Sequence, residues 1–360
     1  MTKQRDWPQR LIHWYHAHKR IMPWREDPTP YKVWVSEMLL QQTQVVTVIP
    51  YFERFLTAFP TVFDLSRADE QDVLKLWEGL GYYTRARNLH KASKIVVNEL
   101  GGNLPDSFAL LQSLPGLGAY AAAAVASIAF GEPVPSVDGN FLRVFTRLWG
   151  IKEPISNAKV KKDVFTRLQN VISCVDPSAF NQGVMELGAT LCKVKNPLCA
   201  QCPILLDCWA YDHQETDAIP IKIKSHTVPH IEVGVALVWN AGRVLITRRP
   251  EGKMLAGLWE FPGGKQEPSE TIKETIIREL KEETNLDVLL ISEVGVYRHA
   301  YSHFTLRLHA WHVSAINLEA LRTDAPSTWV LVGELGNYPF PEVDRKIIRD
   351  LYKIDTIRII

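Results

Sequence analysis

Four of the five cysteines in this 360-residue chain lie close together and could hold a metal centre. Their spacing is Cys192-x6-Cys199-x2-Cys202-x5-Cys208, so four thiols fall within 17 residues. Such clustering, in a chain without an apolar signal segment, favours a metal centre over disulfide bonds. Four thiolates can wrap one cluster or one ion, but zinc sites usually have two close Cys pairs, which argues against zinc. The fifth cysteine, Cys174, is predicted to be a small core residue.

Two carboxylates, Glu37 and Asp138, lie in unlike sequence surroundings. Glu37 falls among apolar residues in the stretch 31–48, which is predicted to be one helix. Asp138 follows Val137 at a glycine-containing break between two helical stretches. A carboxyl group with a perturbed pKa is a candidate acid or base, but a helical Glu more often lies on a solvated face or in an ion pair. The Asp is equally consistent with a surface turn.

A glycine-rich turn precedes Asp138. Residues 114–118 read LPGLG, and the alanine-rich stretch 120–130 that follows consists of good helix formers. Glycine lets the backbone turn tightly and approach a ligand closely. The free N–H groups at a helix N-terminus favour an anion such as a DNA phosphate. Taken alone, the turn favours a plain helical hairpin.

Two further stretches carry polar or aromatic side chains in dense runs. The run Gln41–Gln44 is either an exposed helix face or a set of amides that hydrogen-bond bases. The run Gly79–Tyr83 reads GLGYY and is followed by Arg85 and Arg87. Such a loop can insert a side chain into a base stack and hold phosphates. A plain aromatic turn is the competing interpretation.

The elements that must position these residues form two domains. Residues 1–217 consist of helical stretches, whereas residues 231–360 combine strand patterns with a helix that begins in a Thr271…Glu274 capping box. The stretch 218–230 contains two prolines and no helical period, and we interpret it as an interdomain linker. The chain is therefore predicted to be multidomain, with an all-α domain followed by an α+β domain.

Composition excludes some classes of protein. Hydrophobic residues make up 46% and charged residues 22%, which is ordinary for a globular protein. No apolar run is long enough to cross a membrane. The net charge is +1, so DNA binding would depend on local cations and backbone amides, not on a basic domain. The N-terminal residues show neither a signal nor a transit peptide, from which we expect a cytoplasmic, bacterial-type location.

Six motifs occur in an order that resembles one family. They are PWR at 23–25, SEMLLQQTQV at 36–45, WEGLGYYTRARNLH at 77–90, LPGLGAY at 114–120, VDGN at 137–140 and the four cysteines. In this combination nearly the whole chain resembles the helix-hairpin-helix DNA glycosylases of the endonuclease III superfamily, and within it the adenine DNA glycosylases (MutY family). The resemblance implies an all-α helix-hairpin-helix glycosylase domain with an iron–sulfur cluster loop at 192–208, followed by an α+β Nudix-like (MutT-like) domain that recognises 8-oxoguanine.

The resemblance also implies a reaction. Members of this family flip out and excise adenine mispaired with 8-oxoguanine or guanine. Double-stranded DNA is therefore the implied partner. The chain is also expected to act as a monomer. Lyases of the superfamily carry a lysine at the position of Tyr120, and a tyrosine cannot form a Schiff base. The chain is thus predicted to be a monofunctional glycosylase with little lyase activity. One [4Fe–4S] cluster is implied on Cys192, Cys199, Cys202 and Cys208.

The same resemblance assigns roles residue by residue. Glu37 would protonate the adenine and then handle the water, and Asp138 would stabilise the sugar cation or bond to it covalently. Tyr120 and Asn140 would orient these two carboxyl groups. The residues that would contact the flipped adenine are Trp24, Arg25, Gln42 and Glu186. The residues that would contact DNA or wedge beside the lesion are Leu80, Tyr82, Pro115, Gly116, Leu117 and Gly118. The residues that would recognise 8-oxoguanine are Tyr301, Ser302 and His303, where the family pattern is Phe-Ser-His.

A near-complete Nudix box lies in the second domain. Gly264, Glu270 and the run Arg278–Glu283 fit its spacing. Only the later glycine is changed, to Asn285, which also tolerates left-handed geometry. Three carboxylates share one helix face and could hold Mg²⁺. They are Glu279, Glu282 and Glu283. Two interpretations stay open: the box is an inherited scaffold, or it still hydrolyses an oxidised nucleotide.

Three other functions compete with adenine excision. An endonuclease III–like bifunctional glycosylase and AP lyase is disfavoured by Tyr120 and by the second domain. A nucleotide pyrophosphohydrolase that the helical domain targets to DNA would depend on the Nudix box. A catalytically silent DNA-binding module is disfavoured because Glu37 and Asp138 are both in place.

Overall fold

The computed structural model describes residues 6–223, 228–301 and 303–358, with side chains described as far as Lys353. By their internal contacts the residues form two units, Met1–Arg67 with Asn88–Ser225, and Ala68–Arg87 with His226–Ile360. The sequence predicts a continuous first domain of residues 1–217. The segment 68–87 departs from that boundary, because its contacts group it with the second unit.

Hydrogen bonds explain the grouping of residues 68–87. The Gln71 side-chain amide donates to the Gly257 carbonyl (3.0 Å) and accepts from Trp259 Nε1 (2.8 Å). The Glu78 carboxylate accepts from the backbone N–H of Phe340 (2.9 Å). Helical periodicity shows which face of a segment is apolar, but it does not show which distant part of the chain that segment contacts.

Within the described residues the chain forms fifteen α-helices and seven strands. The helices are α1 (Trp7–His18), α2 (Pro23–Glu26), α3 (Pro30–Leu40), α4 (Val45–Ala58), α5 (Val62–Arg67), α6 (Glu70–Trp77), α7 (Thr84–Leu100), α8 (Phe108–Gln112), α9 (Ala119–Phe130), α10 (Gly139–Trp149), α11 (Ala158–Ile172), α12 (Pro177–Thr190), α13 (Trp209–Asp212), α14 (Ile272–Thr284) and α15 (Glu342–Arg358). The strands are β1 (His230–Asn240), β2 (Arg243–Arg248), β3 (Trp259–Glu260), β4 (Gly263–Lys265), β5 (Val288–Ala300), β6 (Thr305–Ala315) and β7 (Ser327–Leu331). None of the helices in these ranges has the length and apolar character needed to span a membrane.

The alanine-rich helix α9 lies at the centre of the first unit. Its residues 121–126 are buried on every side, and their small side chains let α3, α8 and α12 pack closely against it. A second core joins α1, α10, α11 and α12 through large side chains such as Leu11, Phe145 and Phe180. These two packing centres hold the helices that carry the candidate catalytic residues.

The stretch 31–48 is not one helix, contrary to the prediction from its apolar pattern. Helix α3 ends at Leu40, and α4 begins at Val45. Between them Gln42 has a φ of 57°, in the left-handed region that interrupts a right-handed helix. A backbone conformation of this kind costs free energy and often occurs at functional sites. Apolar periodicity does not detect the break, because both halves keep helical spacing.

The second unit is built on a mixed sheet. Its strand order is β3-β2-β1-β6-β5, with β4 paired to β1 and β7 paired to β2. Strands β1 and β6 run parallel and the other pairs are antiparallel. The unit has two hydrophobic cores. Helix α14 contributes to one of them, and α15 contributes to the other. The predicted capping box at Thr271 and Glu274 is confirmed, and Asn285 ends α14 with a φ of 57°.

Candidate active site

Helices α3, α9 and α10 bring four predicted catalytic residues together. The Tyr120 hydroxyl donates to the Glu37 carboxylate (3.0 Å). Asp138 is the N-cap of α10 and accepts from the Phe141 backbone N–H (2.8 Å) and from Asn140 Nδ2 (2.8 Å). Residues more than 100 positions apart in sequence thus form one site, with a hydrogen-bonding neighbour for each carboxyl group.

The two carboxyl groups have different electrostatic surroundings. Glu37 is only 4% exposed, and this burial raises its pKa to about 7, with a further rise from Asp138 that is opposed by the Tyr120 hydrogen bond. Burial also raises the pKa of Asp138, but hydrogen bonds from Phe141 and Asn140 lower it. The site therefore pairs an acid that is protonated near neutral pH with a carboxylate held by donors, which suits acid catalysis beside a developing cation.

A cavity of about 650 Å³ opens onto this pair. Its walls include Trp24, Arg25 and Glu186, which are predicted to contact the adenine. Gln42 does not line this cavity; it is exposed at the break after α3, whereas its neighbour Thr43 does line it. The structure therefore brings together the catalytic residues and three of the four predicted pocket residues.

Buried charges organise the far wall of the cavity. Glu186 is 1% exposed and forms ion pairs with Arg20 (2.5 Å) and Arg25 (2.9 Å). The Gln182 side-chain oxygen accepts from Arg25 Nε (3.1 Å) and from the Tyr15 hydroxyl (2.9 Å). Sequence reasoning missed Tyr15, Arg20 and Gln182. A signal was available for Gln182, because it lies four residues before Glu186 on α12 and so shares its face.

The predicted turn Pro115–Gly118 connects α8 to α9. Gly116 has a φ of +80°, and a Cβ atom there would lie 2.7 Å from Asn88 Cβ and 2.9 Å from Met38 Cε. Gly118 is the N-cap of α9, and a Cβ atom there would meet nothing within 4 Å. Gly116 is thus required by backbone conformation and close packing. Gly118 is not, and it leaves open space at the N-terminus of α9.

The second unit contains a cavity of about 440 Å³ that gathers the predicted wedge and lesion residues. Leu80 and Tyr82 line it together with Tyr301 and His303. Leu80 is 9% exposed and Tyr82 is 40% exposed, so Tyr82 is the more accessible of the predicted wedge residues. Tyr82 also has a φ of 48°, unusual for a residue other than glycine. The third predicted lesion residue, Ser302, lies outside the described residues.

Two features of this cavity were not expected from the sequence. The loop between β2 and β3 contributes Lys253 and Leu255, and Arg87 adds a second cation. The ring of Tyr301 packs against Phe304 with a centroid distance of 4.8 Å. The cavity therefore combines aromatic surface with positive charge, which suits a base and its phosphate.

The four clustered cysteines are unbridged and half-buried. Burial, with smaller contributions from the three other thiols, raises the pKa of Cys202 to about 12. Four thiolates so close together need a positively charged centre. In the described part of the chain, no group of three or more His, Cys, Asp or Glu residues is placed so that it could hold a metal ion. The donor set fits an iron–sulfur cluster, which spreads its ligands over several irons.

Helix α10 links the cysteine loop to the catalytic residues. Arg147 donates to Cys192 Sγ (3.3 Å) and to the Lys193 carbonyl (2.8 Å). One turn earlier, Arg143 donates to the Cys192 carbonyl (2.7 Å) and to Asn140 Oδ1 (2.7 Å). The fifth cysteine, Cys174, is exposed at the end of α11, so the prediction of a core position is wrong.

The geometry does not support the predicted divalent-ion site at Glu279, Glu282 and Glu283. Arg278 forms ion pairs with Glu279 (3.1 Å) and Glu282 (3.1 Å), and it also contacts Glu270. Glu283 accepts from the Gly263 backbone N–H (3.1 Å). The three side chains share a helix face as predicted, but within the described ranges they form no group that could hold a metal ion. The Arg278 guanidinium supplies the positive charge there.

Comparisons with known proteins agree with both units. A family model described as HhH-GPD superfamily base excision DNA repair protein matches residues 35–170, and a NUDIX domain model matches residues 234–350. A solved thermostable thymine-DNA glycosylase is 25% identical with a TM-score of 0.52, covering 57% of this chain and 95% of its own. A structure of endonuclease III with DNA, at 24% identity and a TM-score of 0.51, shares the fold. The predicted fold class is confirmed.

Proteins named adenine DNA glycosylase are similar to this chain along most of its length. The protein of Mus musculus is 33% identical, with 94% of this chain and 76% of that protein covered. The protein of Homo sapiens is 32% identical, with 94% and 72% covered. The protein of Buchnera aphidicola subsp. Baizongia pistaciae is 30% identical, with 97% of each covered.

Proposed function

Because this chain belongs to the adenine DNA glycosylase family, we propose that it excises adenine paired with 8-oxoguanine or guanine in duplex DNA, as a monofunctional enzyme. Membership makes the chain an N-glycosylase of base excision repair that acts on DNA. The observation that carries the finer proposal is the pairing of Glu37 and Asp138 on one cavity, with burial raising the pKa of Glu37 to about 7.

In the proposed reaction Glu37 donates its proton to a ring nitrogen of the flipped adenine. The protonated purine becomes a better leaving group, and the bonding pair of the C1′–N9 bond departs with it. The sugar becomes an oxocarbenium ion, which the Asp138 carboxylate stabilises electrostatically. Water then adds to C1′ and gives its proton to the Glu37 carboxylate, which restores the acid. Tyr120 keeps Glu37 oriented through their 3.0 Å hydrogen bond.

The far wall of the cavity supplies groups that can recognise the adenine. Gln182 and Glu186 present amide and carboxylate groups that can hydrogen-bond the edge of a base, and Arg25 contacts both. Trp24 is a wall residue of the same cavity. A base held here would have left the duplex stack, because the cavity lies inside the helical unit.

The absence of an amine among the four proposed catalytic side chains supports monofunctional action. Tyr120 occupies the position next to Glu37, and a phenol cannot condense with an aldehyde sugar. Lys19 lies at the cavity rim with its ammonium 5.7 Å from the centre of the Tyr15 ring. We propose that Lys19 makes no productive Schiff base, so strand cleavage requires alkali.

The cavity of the second unit is the proposed reader of the opposite base. Tyr301 and His303 would contact the 8-oxoguanine and its backbone, with Tyr82 inserted beside it. Ser302, outside the described residues, is proposed to hydrogen-bond the lesion edge. Action as a monomer and a cytoplasmic location stay predictions.

A [4Fe–4S] cluster is the proposed occupant of the cysteine loop. Cys192, Cys199, Cys202 and Cys208 would hold it. When bound, the cluster would supply a positively charged centre that neutralises the thiolates and cross-links the loop. Arg147 would then hold that loop against α10 through its bonds to Cys192 and Lys193.

The proposal is tested with a duplex that carries one adenine opposite 8-oxoguanine. Wild-type protein should release free adenine, and strands should break only after alkali. Glu37→Gln should lower the single-turnover rate by roughly 10²- to 10⁴-fold, since general acid catalysis contributes about that much, while DNA affinity stays within a few-fold.

The matched control is Glu53→Gln on α4, where the replaced carboxylate is exposed and does not line the cavity. This variant should keep the wild-type rate. A Glu37→Gln protein with the wild-type rate would remove Glu37 from the mechanism. Strand breakage without alkali, together with borohydride trapping that Lys19→Ala abolishes, would favour the lyase.

A further inference from the structure

We propose that Asn181 is a positioning residue for the reaction proposed above: it clamps the loop that delivers Asp138 to the adenine cavity. Asn181 lies on α12, immediately before Gln182, and is fully buried (0% exposed). Its side chain does not line the cavity. This inference rests on the proposed function, because it concerns the placement of the proposed catalytic carboxylate.

Three hydrogen bonds define the clamp. Asn181 Nδ2 donates to the Val134 carbonyl (2.9 Å) and to Ser127 Oγ (2.7 Å). Asn181 Oδ1 accepts from the Ser136 backbone N–H (3.2 Å). Two of these bonds hold the loop between α9 and α10, and the third holds α9 itself. A buried amide with this set of partners is satisfied on both its oxygen and its nitrogen.

The clamped loop has few backbone bonds of its own. Residues 131–138 form no regular structure, and Pro133 and Pro135 have no N–H to donate. The described backbone bonds from Glu132 to Ala126 and from Val134 to Glu132 lie at the start of the loop. Beyond that point the Ser136 N–H, two residues before Asp138, bonds to Asn181. The Asn181 side chain thus provides this loop with a hydrogen bond of the kind that regular secondary structure would otherwise supply.

Helix α12 also contacts the residues that follow Asp138 in the chain. Gly188 lies against Asn140, and a Cβ atom at Gly188 would come within 2.7 Å of Asn140 Cβ. The Gly188 carbonyl accepts from Arg143, which in turn donates to Asn140 (2.7 Å each). The same helix therefore holds the residues before and after the carboxylate, and it carries Gln182 and Glu186 in the adenine cavity. Asn181 connects adenine recognition to the placement of Asp138.

Loss of the clamp should change the ionisation of Asp138. The charged or ionisable groups that face it are Glu37 on α3, Tyr120 on α9 and Arg143 on α10. Burial raises the pKa of Asp138, and the bonds from Phe141 and Asn140 lower it. A loosened loop changes both the burial and the hydrogen bonds that set this pKa. The acid limb of the rate profile, which reports the ionisation of Asp138, therefore moves away from its wild-type position.

The experiment compares Asn181→Leu with Ser127→Ala. The first variant removes all three bonds, whereas the second removes only the bond to α9 and leaves the loop held. Single-turnover adenine release from the 8-oxoguanine duplex is measured from acid to alkaline pH, together with DNA affinity and the thermal midpoint. If Asn181→Leu does not fold, Asn181→Ser serves, because serine is too short to bridge Val134 and Ser136.

Asn181→Leu or Asn181→Ser should lower the neutral-pH rate by roughly tenfold or more and displace the acid limb from its wild-type position, as expected when a reacting group is misplaced. Ser127→Ala should leave both the rate and the acid limb unchanged. Asn181 variants that match Ser127→Ala in rate and acid limb would overturn this inference alone. A wild-type protein that releases no adenine would overturn the proposed function itself.

Discussion

At the scale of single residues, the surroundings of two carboxylic acids give them different roles, although both would ionise similarly in water. Glu37 lies in the apolar interior of the helical unit, and its pKa rises to about 7. Asp138 accepts hydrogen bonds from the Phe141 backbone and from Asn140, and the positive charge of Arg143 also lowers its pKa. The first group can give a proton at neutral pH, and the second can face a cation. The reaction depends on this difference, which neither residue has in an unfolded chain.

The first prediction concerns pH. Because Glu37 must be protonated to act as an acid, the single-turnover rate should fall as pH rises through about 7. The raised pKa also means that folding favours the protonated form, so the free energy of unfolding decreases as pH rises from 4.5 to about 7. The corresponding penalty at pH 8 is about 3 kcal/mol. Glu37→Gln should therefore unfold at a higher temperature than wild type, and the gain should be larger at pH 8 than at pH 5.

Thermal scans at the two pH values test this directly. Glu53→Gln, which alters an exposed carboxylate, should give equal shifts at both. An identical gain for Glu37→Gln at pH 5 and pH 8 would show that Glu37 titrates normally. A rate that stays flat to pH 9 would contradict its role as the acid.

At the scale of elements, the short segments between helices position the site residues, as the helices themselves do. The turn at Gly116 and Gly118 orients the N-terminus of α9, and the loop after α9 delivers Asp138. Helix α10 then begins at Asp138 and carries Arg143 and Arg147 toward the cysteine loop. Each connection is held by specific close contacts, which makes single substitutions informative.

The second prediction uses the two glycines of this turn as a matched pair. Gly116→Ala should lower the free energy of unfolding by roughly 1–3 kcal/mol, because its φ of +80° and its contacts with Asn88 and Met38 exclude a side chain. Gly118→Ala should cost at most about 1 kcal/mol, because the space there is open.

Denaturant unfolding and DNA binding separate the two roles. Gly118→Ala should weaken binding to duplex DNA, since its methyl group occupies the space in front of the α9 N–H groups. If Gly118→Ala binds DNA like wild type, the turn does not hold a phosphate. Equal stability for the two variants would contradict the packing argument.

The third prediction concerns the cysteine loop. Cys202→Ser should reduce bound iron and visible absorbance and should lower the thermal midpoint, because the loop loses one ligand of its proposed cross-link. Cys174→Ser is the matched control, since Cys174 is exposed just after α11 and outside the loop. Purified protein that contains zinc in place of iron, or a Cys202→Ser protein with full iron content, would contradict the cluster.

At the scale of the whole molecule, the chain contains a helical unit with the catalytic cavity and a sheet-based unit with the proposed lesion reader. The segment 68–87 belongs to the second unit by its contacts, although it lies in the middle of the helical sequence. Through Leu80 and Tyr82 this segment also lines the cavity of that unit. A boundary drawn from sequence between residues 217 and 231 therefore misses one part of the reader.

The fourth prediction is a truncation. A chain that ends at Ile223 loses the partners of Gln71 and Glu78, so trypsin should cut the segment 68–87 much faster than in the full chain. The truncated protein should also lose preference for adenine opposite 8-oxoguanine over adenine opposite guanine. Limited proteolysis with mass spectrometry and the ratio of the two excision rates measure these effects.

The full-length double variant Gln71→Ala with Glu78→Ala provides the control. It should increase cleavage of the segment while Tyr301 and His303 remain in place. Equal trypsin resistance of the truncated and full chains would show that the segment is ordered without the second unit.

Much of the candidate site was predictable because its signals are local. The spacing of the cysteines, the LPGLG turn and the Val-Asp-Gly-Asn break can each be read in a few residues. Arg20 was missed, because its role depends on the chain just after α1 lying against Glu186 of α12. The Nudix box shows a similar limit of local spacing. Its spacing placed three carboxylates on one face, but it did not show that Arg278 pairs with two of them.

The sequence by itself determined the fold class, the four thiols and the types of the reacting residues, because motifs of contiguous residues encode them. Only the tertiary structure decided that Glu37 is an acid near neutral pH, since burial and the approach of Asp138 set its pKa. It also decided that residues 68–87 join the second unit and that Asn181 clamps the Asp138 loop. These properties depend on contacts between residues that are far apart in sequence, and a local sequence pattern does not specify such contacts.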